Sequence, residues 1–458
     1  MRFFFTLLSA GALFQLLAAG EFSYRFTSNR PEAIYQIGEN ITFSAQLLED
    51  GQPVSGRRVN YELVGDGGLE KKGSFISSAE KPFEISCSLA YPGGVRLLCQ
   101  LPGEDGKALD VTNPATGAKN AKSVGIGAMV APEQLRPAVP CPDDFDEFWN
   151  RQRRLLEAVP IRADRREIKL PSGLSGYADK VKAYDVKVDC AGSMPVSGRL
   201  AMPADAPPRS APAYVSFHGA GVYSAGIRAD LAAMGAIAFD VNAHGIDNGL
   251  SSEAYRKLAA GELKGYMGRN ADDPEKYYYR DMYLRVLRAL DYVTSLPEWD
   301  GKTLIVNGGS QGGAQAITAM ALDPRVTLGV ANFPALTDHP GTLATPPRQG
   351  GWPRLYRADK DGKPNDPKRF RTVQYYDGVN FAPRIHCEVY TATGFVDLSC
   401  PPTGTMVFYN ELASENKHLE TYPQLGHHSK AGNAAGRARI SECIRNAVAE
   451  AAKLREAK

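Results

Sequence analysis

The stretch VNGGSQGGAQ, residues 306–315, sets Ser310 between Gly308 and Gly312 at the G-x-S-x-G spacing. A serine hydroxyl is a weak nucleophile at neutral pH, so a base must take its proton and an acid must orient the base. The two glycines give a physical reason to expect such chemistry here. On a sharp strand-to-helix turn the backbone of the serine is strained, and a side chain at either flanking position would collide with the chain. The turn lifts the hydroxyl clear of the sheet and sets it near a helix N-terminus. The flanks fit: KTLIVNG (302–308) reads as a buried strand, and GGAQAITAMAL (312–322) as a helix that starts on small residues. Ser310 is therefore the candidate nucleophile, and Gly308 and Gly312 are the elbow glycines.

On such a framework the acid and then the histidine follow the serine along the chain. The histidines after Ser310 are His339, His386, His418, His427 and His428. His386 stands at a strand start and His418 in the charged turn SENKHLE. His427 and His428 share YPQLGHHSKAGN, a glycine-flanked loop before the last helix, where a mobile imidazole belongs, and the residues alone do not choose between them. For the acid, YTATGFVDLSCPP ends a buried strand at Gly394 and places Asp397 in the loop beyond, with Asp338 as its competitor at the edge of a long excursion. An acyl-transfer intermediate carries a negative oxygen that backbone N–H groups must hold. The amide of Gln311, next to the serine, is one candidate donor. The other is Ala220 in SFHGAGVYS (216–224), an H-G-x-G loop after an earlier strand, which makes His218 structural rather than a base.

The elements that must position these residues are legible around them. APAYVSFHG, AIAFDVNAHG, KTLIVNG, TLGVANFP and CEVYTATG read as strands, and YYYRDMYLRVLRALDYVTSLP (277–297) as a long amphipathic helix. Alternation of strands with helices predicts an α/β fold with a mainly parallel sheet covered on both faces, over residues 143–458. Residues 338–375, rich in Pro, Gly and charge, form a long excursion from that core. Residues 21–130 differ: short alternating runs such as NITFSAQLL and GVRLLCQL, separated by turn residues, predict a small all-β, immunoglobulin-like sandwich that packs or spaces, joined by a proline-bearing linker at 131–142. The first 20 residues, MRFFFTLLSAGALFQLLAAG, carry one basic residue, an apolar run and small residues at the end, the pattern of a cleaved secretory signal peptide. The expectation is an exported protein, periplasmic, cell-surface or secreted, with no membrane association after cleavage. A net charge of +2 from 53 basic and 51 acidic side chains, with no basic stripe, excludes nucleic acid as a partner. The seven cysteines show no C-x-x-C spacing, so no metal site is expected, although Cys87 and Cys99 on consecutive strands are placed to pair.

Together DDFDEFW, the HG loop, YYYRDMYLRVLRALDYV, GGSQGGAQA, GFVDLSCPP, FYNEL and YPQLGHH resemble the acetyl xylan esterase and cephalosporin C deacetylase family of serine esterases, over about residues 141–450. The resemblance implies an α/β-hydrolase fold and removal of acetyl groups from sugar hydroxyls of an acetylated oligo- or polysaccharide, with no metal or organic cofactor. It implies Ser310, Asp397 and His427 as the triad, and the Ala220 and Gln311 amides as oxyanion donors. It also implies a homo-oligomer, a packing the added β-region would obstruct. Three positions depart from the family pattern: Ala220 replaces a tyrosine, Asn242-Ala243-His244-Gly245 replaces RGQG, and His428 replaces a glutamate. They leave the triad intact and bear on substrate preference. Two other readings fit the same residues: a hydrolase of this fold acting on another ester or an amide, and an inactive exported glycan-binding protein.

Overall fold

A computed structural model describes residues 20–113, 117, 119, 121–427 and 433–456. The expected leader, apart from Gly20, and His428 lie outside the described residues. No described helix is long and apolar enough to cross a membrane.

The N-terminal region is all-β, built on two sheets. One joins Phe22–Ser28, Ile41–Glu49, Gln52–Pro53 and Phe83–Cys87; the other joins Ile34–Tyr35, Val124–Val130, Gly93–Gln100, Arg58–Gly65 and Glu70–Ile76. Alternation drives the packing: in Ile41–Glu49 the buried residues are Ile41, Phe43, Ala45 and Leu47, with Leu48 beside them, the signature of a strand with one face inward. Cys87 and Cys99 fall on different sheets, and all seven cysteines are free thiols. The pairing that consecutive strands allowed is not made.

The rest of the chain surrounds a nine-stranded sheet. In spatial order its strands are Ala163–Ile168, Val181–Val188, Val196–Pro203, Ile237–Asn242, Ala211–Phe217, Trp299–Gly309, Leu328–Asn332, Glu388–Gly394 and Lys417–Tyr422. The first three pairings are antiparallel and the remaining five parallel. Central strands such as Ile237–Asn242 are buried at every residue, as a sheet covered on both faces requires. Val215 and Val306 pack with Tyr283, Val286 and Leu290 of the helix Tyr278–Ser295. Their neighbours Tyr214 and Ile305 face the other way, against Leu231, Ile444 and Val448. This is the α/β arrangement the strand–helix alternation predicts. Among the elements that escape the sequence pattern are the edge strand Ala163–Ile168, exposed along most of its length, and the helix Pro402–Glu411, mostly buried and without an amphipathic stripe.

The proline-bearing stretch at 131–142 does not hang free. Leu135 is buried, and the Asn410 side chain donates to the carbonyls of Pro132 and Leu135 at 2.8 and 3.0 Å. The β-region is seated against the far edge of the large sheet. Gly127 N–H donates to the Pro423 carbonyl at 2.8 Å, and a Cβ at Gly127 would lie 2.4 Å from the Phe395 carbonyl oxygen. Glycine is thus needed for the strand to lie this close. Gly127→Val is expected to cost about 1–3 kcal/mol through forced separation of the seam, read as a lower midpoint of chemical denaturation. An unchanged midpoint would show that the two regions do not depend on this contact.

Candidate active site

Ser310 sits between the strand Trp299–Gly309 and the helix Gln311–Leu322, with φ 57° and ψ −123°. A non-glycine residue in that region is strained by about 1–3 kcal/mol. Three backbone hydrogen bonds hold it there: Ser310 N–H to Asn332 O at 2.9 Å, and Ala335 and Ala314 N–H to Ser310 O at 3.0 and 3.2 Å. The flanking glycines are sterically obligatory. A Cβ at Gly308 would lie 2.0 Å from Gly312 O, and one at Gly312 would lie 2.1 Å from Phe217 O.

His427 and Asp397 converge on this serine. His427 Nε2 is 2.9 Å from Ser310 Oγ, and Nδ1 is 2.7 Å from Asp397 Oδ2. The carboxylate is fully buried, and its other oxygen accepts from the amides of Ser399 and Cys400 at 2.7 and 2.8 Å. An ionised carboxylate can only accept, so Nδ1 carries the proton and Nε2 is left as an acceptor for the serine hydroxyl. Asp338, the competing acid, is elsewhere: it is buried in an ion pair with Arg348 at 2.6 Å, under the excursion. His339 is buried beside it, His386 is exposed, and His418 pairs with Glu388.

Cys400 is a neighbour that sequence reading did not single out. Its Sγ, a carboxylate oxygen of Asp397 and a ring nitrogen of His427 lie within 4.8 Å of one another. Burial and the nearby Asp397 charge push its thiol well above the ordinary range, so it is neutral. Those three side chains have metal-ligand chemistry, but Asp397 and both ring nitrogens of His427 are already engaged with each other and with Ser310.

The H-G-x-G loop lies alongside. A Cβ at Gly219 would be 3.7 Å from Ser310 Cβ. Neither the Ala220 nor the Gln311 amide is engaged by a described acceptor. His218 is built in as a strut: Nδ1 donates to Gly219 O at 2.7 Å, and Nε2 accepts from Ala243 N–H at 3.0 Å. Asn242-Ala243-His244-Gly245 is the counterpart of that strut. Asn242 donates to Tyr223 O at 2.9 Å, and Arg285 donates to Ala243 O at 2.8 Å. His244 spans from Gly221 O at 2.9 Å to Tyr278 Oη at 2.8 Å. That departure from the family pattern is thus a buried support of the loop rather than a surface facing substrate. Tyr223 adds a half-exposed ring over His218, 4.4 Å between centroids, with its hydroxyl on Gly219 O.

The Gln311 side chain is held from the other side. Its carbonyl oxygen accepts from Tyr266 and Tyr279 at 2.7 and 2.9 Å, all three residues being buried. Burial pushes the Tyr266 hydroxyl up to about 12, so it remains a donor. Tyr279, within the tyrosine-rich run at 277–279, and Tyr266, eleven residues before that run, look like ordinary core residues, and no local signal marks the clamp.

Burial also pushes His244 down to about 3. The unfolded chain therefore binds a proton at His244 near pH 6.5 that the folded protein refuses until about pH 3. This contribution to stability is complete above pH 6.5 and is lost as the pH falls toward 3. Denaturation of the parent and His244→Gln at pH 7.5 and pH 5 should show a smaller loss between the two pH values in the variant, whatever its overall stability. Equal losses would contradict a neutral buried His244.

The family model described as acetyl xylan esterase (AXE1) matches residues 132–440. The chain is 34% identical over 298 residues to acetyl esterase Axe7A of Xylanibacter ruminicola, a match covering 64% of this chain and 65%, just under two thirds, of that relative's length. Among solved structures, acetyl xylan esterase from Paenibacillus sp. R4 is 28% identical with a TM-score of 0.54, covering 68% of this chain and 98% of that one. Acetyl xylan esterase 1 from Thermoanaerobacterium sp. JW/SL YS485 is 24% identical with a TM-score of 0.52, covering 67% and 96%, a likeness of fold. With its α/β-hydrolase architecture and a match over most of its length, the chain belongs to the acetyl xylan esterase family.

Proposed function

We propose that the protein is a serine esterase that removes acetyl groups from carbohydrate through an acyl-enzyme on Ser310. The observation that carries this reading is the hydrogen-bonded chain from Asp397 through His427 to Ser310, mounted on a strained elbow. His427 Nε2 takes the Ser310 proton as Oγ attacks the acetyl carbonyl carbon. Asp397 holds the imidazole in the required tautomer and stabilises its cation. The Ala220 and Gln311 amides, otherwise unengaged, receive the oxyanion. The C–O bond to the sugar breaks, and the sugar oxygen leaves with the proton from His427. Water, deprotonated by His427, then attacks the acetyl-serine, and acetate departs with regeneration of the Ser310 hydroxyl. Family membership supports the substrate class. The leader-like first 20 residues support export.

Ser310→Ala is expected to reduce acetate release from acetylated xylan by about 10³-fold or more at unchanged fold. Rates near those of the parent would remove the assignment. With 4-nitrophenyl esters, activity should fall steeply beyond the acetyl chain; a flat profile through butyrate would favour another ester as substrate. Replacing both clamp tyrosines, Tyr266→Phe with Tyr279→Phe, should lower kcat about tenfold with little change in KM. That split is expected if the clamp positions the Gln311 amide for the transition state, since a donor misplaced by a fraction of an ångström loses part of its roughly 2.7–4 kcal/mol.

A further inference from the structure

From the cavity around His427, we infer that the N-terminal β-region forms one wall of the substrate cleft and binds the sugar chain whose oxygen leaves. The inference rests on the esterase reading above. In that reading the departing oxygen must stand within hydrogen-bond reach of His427 Nε2, so the saccharide extends through space that His427 borders. Two cavities among the described residues have His427 in their lining. One, of about 360 Å³, lies between Asn307 of the elbow strand and Ile444 of the last helix, and includes Ser310. It holds the nucleophile, and no residue of the β-region lines it. The other, of about 310 Å³, runs from His427 to the β-region. A larger cavity of about 590 Å³ under the excursion, lined by His339 and Arg354, borders neither Ser310 nor His427.

The walls of the shared cleft suit a pyranose ring, which presents apolar C–H faces and hydroxyl edges. The β-region contributes Leu98, Ala121 and Ser123; Leu398 and Gln424 stand opposite. Leu398 is 49% exposed, an unusual state for a leucine one residue from a fully buried carboxylate, and it is the surface a sugar face would cover. Gln424 is held across the seam by its donation to Phe26 O at 3.2 Å. The same seam that seats Gly127 on Phe395 and Pro423 therefore fixes the width of the cleft. Packing or spacing alone does not require the β-region to face the imidazole; a share in the cleft does.

The test is binding of xylohexaose, without acetyl groups, to full-length mature Ser310→Ala protein by titration calorimetry. Ser123→Trp places a bulky ring in the cleft from an exposed position and should raise Kd at least fivefold. Glu84→Trp, on an exposed site of the same region outside the cleft, should leave Kd within twofold of the parent and controls for surface change. Equal Kd in Ser123→Trp and Glu84→Trp, or no binding by the parent at millimolar sugar, would overturn the inference. Acetate release from acetylated xylan by the protein with Ser310 intact is scored separately. Release with Kd unmoved by Ser123→Trp overturns the shared cleft alone. Absence of release with Kd raised by Ser123→Trp supports the cleft and removes only the deacetylase reading.

Discussion

The backbone of Ser310, held at φ 57° and ψ −123°, is the constraint around which the rest of the site is arranged. A conformation that costs about 1–3 kcal/mol persists only where its surroundings over-determine it. Here the helix start, the end of the neighbouring strand and the loop beyond it all bond to the same residue, through Ala314, Asn332 and Ala335. The glycines follow from this geometry. With Gly312 O only 2.0 Å from where a Cβ of Gly308 would be, and Phe217 O only 2.1 Å from one at Gly312, the turn cannot open without moving two strands. The tight turn also sets the Gln311 amide next to the hydroxyl, and the two tyrosines on the Gln311 side chain keep that amide from swinging with the helix end.

Ala220, the proposed second oxyanion donor, sits on a loop that has no such intrinsic rigidity. Its order comes from a buried polar network in which each histidine nitrogen has one defined partner. His218 uses both nitrogens within the loop and its support, and His244 uses both between Gly221 and Tyr278. Burial favours the neutral form of each, which keeps one nitrogen as acceptor and one as donor. A network satisfied in this way is rigid, whereas the same groups with one partner missing would be costly. Asn242-Ala243-His244-Gly245 therefore reads as an alternative solution to the problem of holding the loop.

The elbow was legible because the glycine spacing around Ser310 is local, with Gly308 closed off by Gly312 O, although Gly312 itself is closed off by Phe217, 95 positions earlier. The two loops carrying Asp397 and His427 were legible because each follows a strand end, where polar residues have few structural duties. What could not be read was set by contacts between distant residues. Tyr266 and Tyr279 are spaced and buried like core tyrosines, and only the folded chain shows both hydroxyls on one amide oxygen. Gly127 looks like any glycine in a strand until Phe395, 268 positions later, is packed on it. The helix Pro402–Glu411 has no stripe because most of its surface is covered. Whether Cys87 and Cys99 pair was not legible either, because sequence gives the order of strands but not the distance between their side chains; both are free thiols.

The position of the β-region has an energetic consequence for the site. The loop at 395–400 carries Asp397, and its first residue, Phe395, lies against Gly127 of the strand Val124–Val130. Asp397 is fully buried, and its acceptor bonds to Ser399 and Cys400 require that loop to keep its shape. Water reaching the carboxylate would screen its interaction with the imidazole, and the attraction between the two rises steeply as the surroundings become less polar. A region that covers the root of the loop therefore does more than extend the surface: it helps the loop keep the shape in which the carboxylate is buried. In a chain without that covering, other residues would have to close the same loop, so a β-region seated there and a buried Asp397 are two parts of one arrangement.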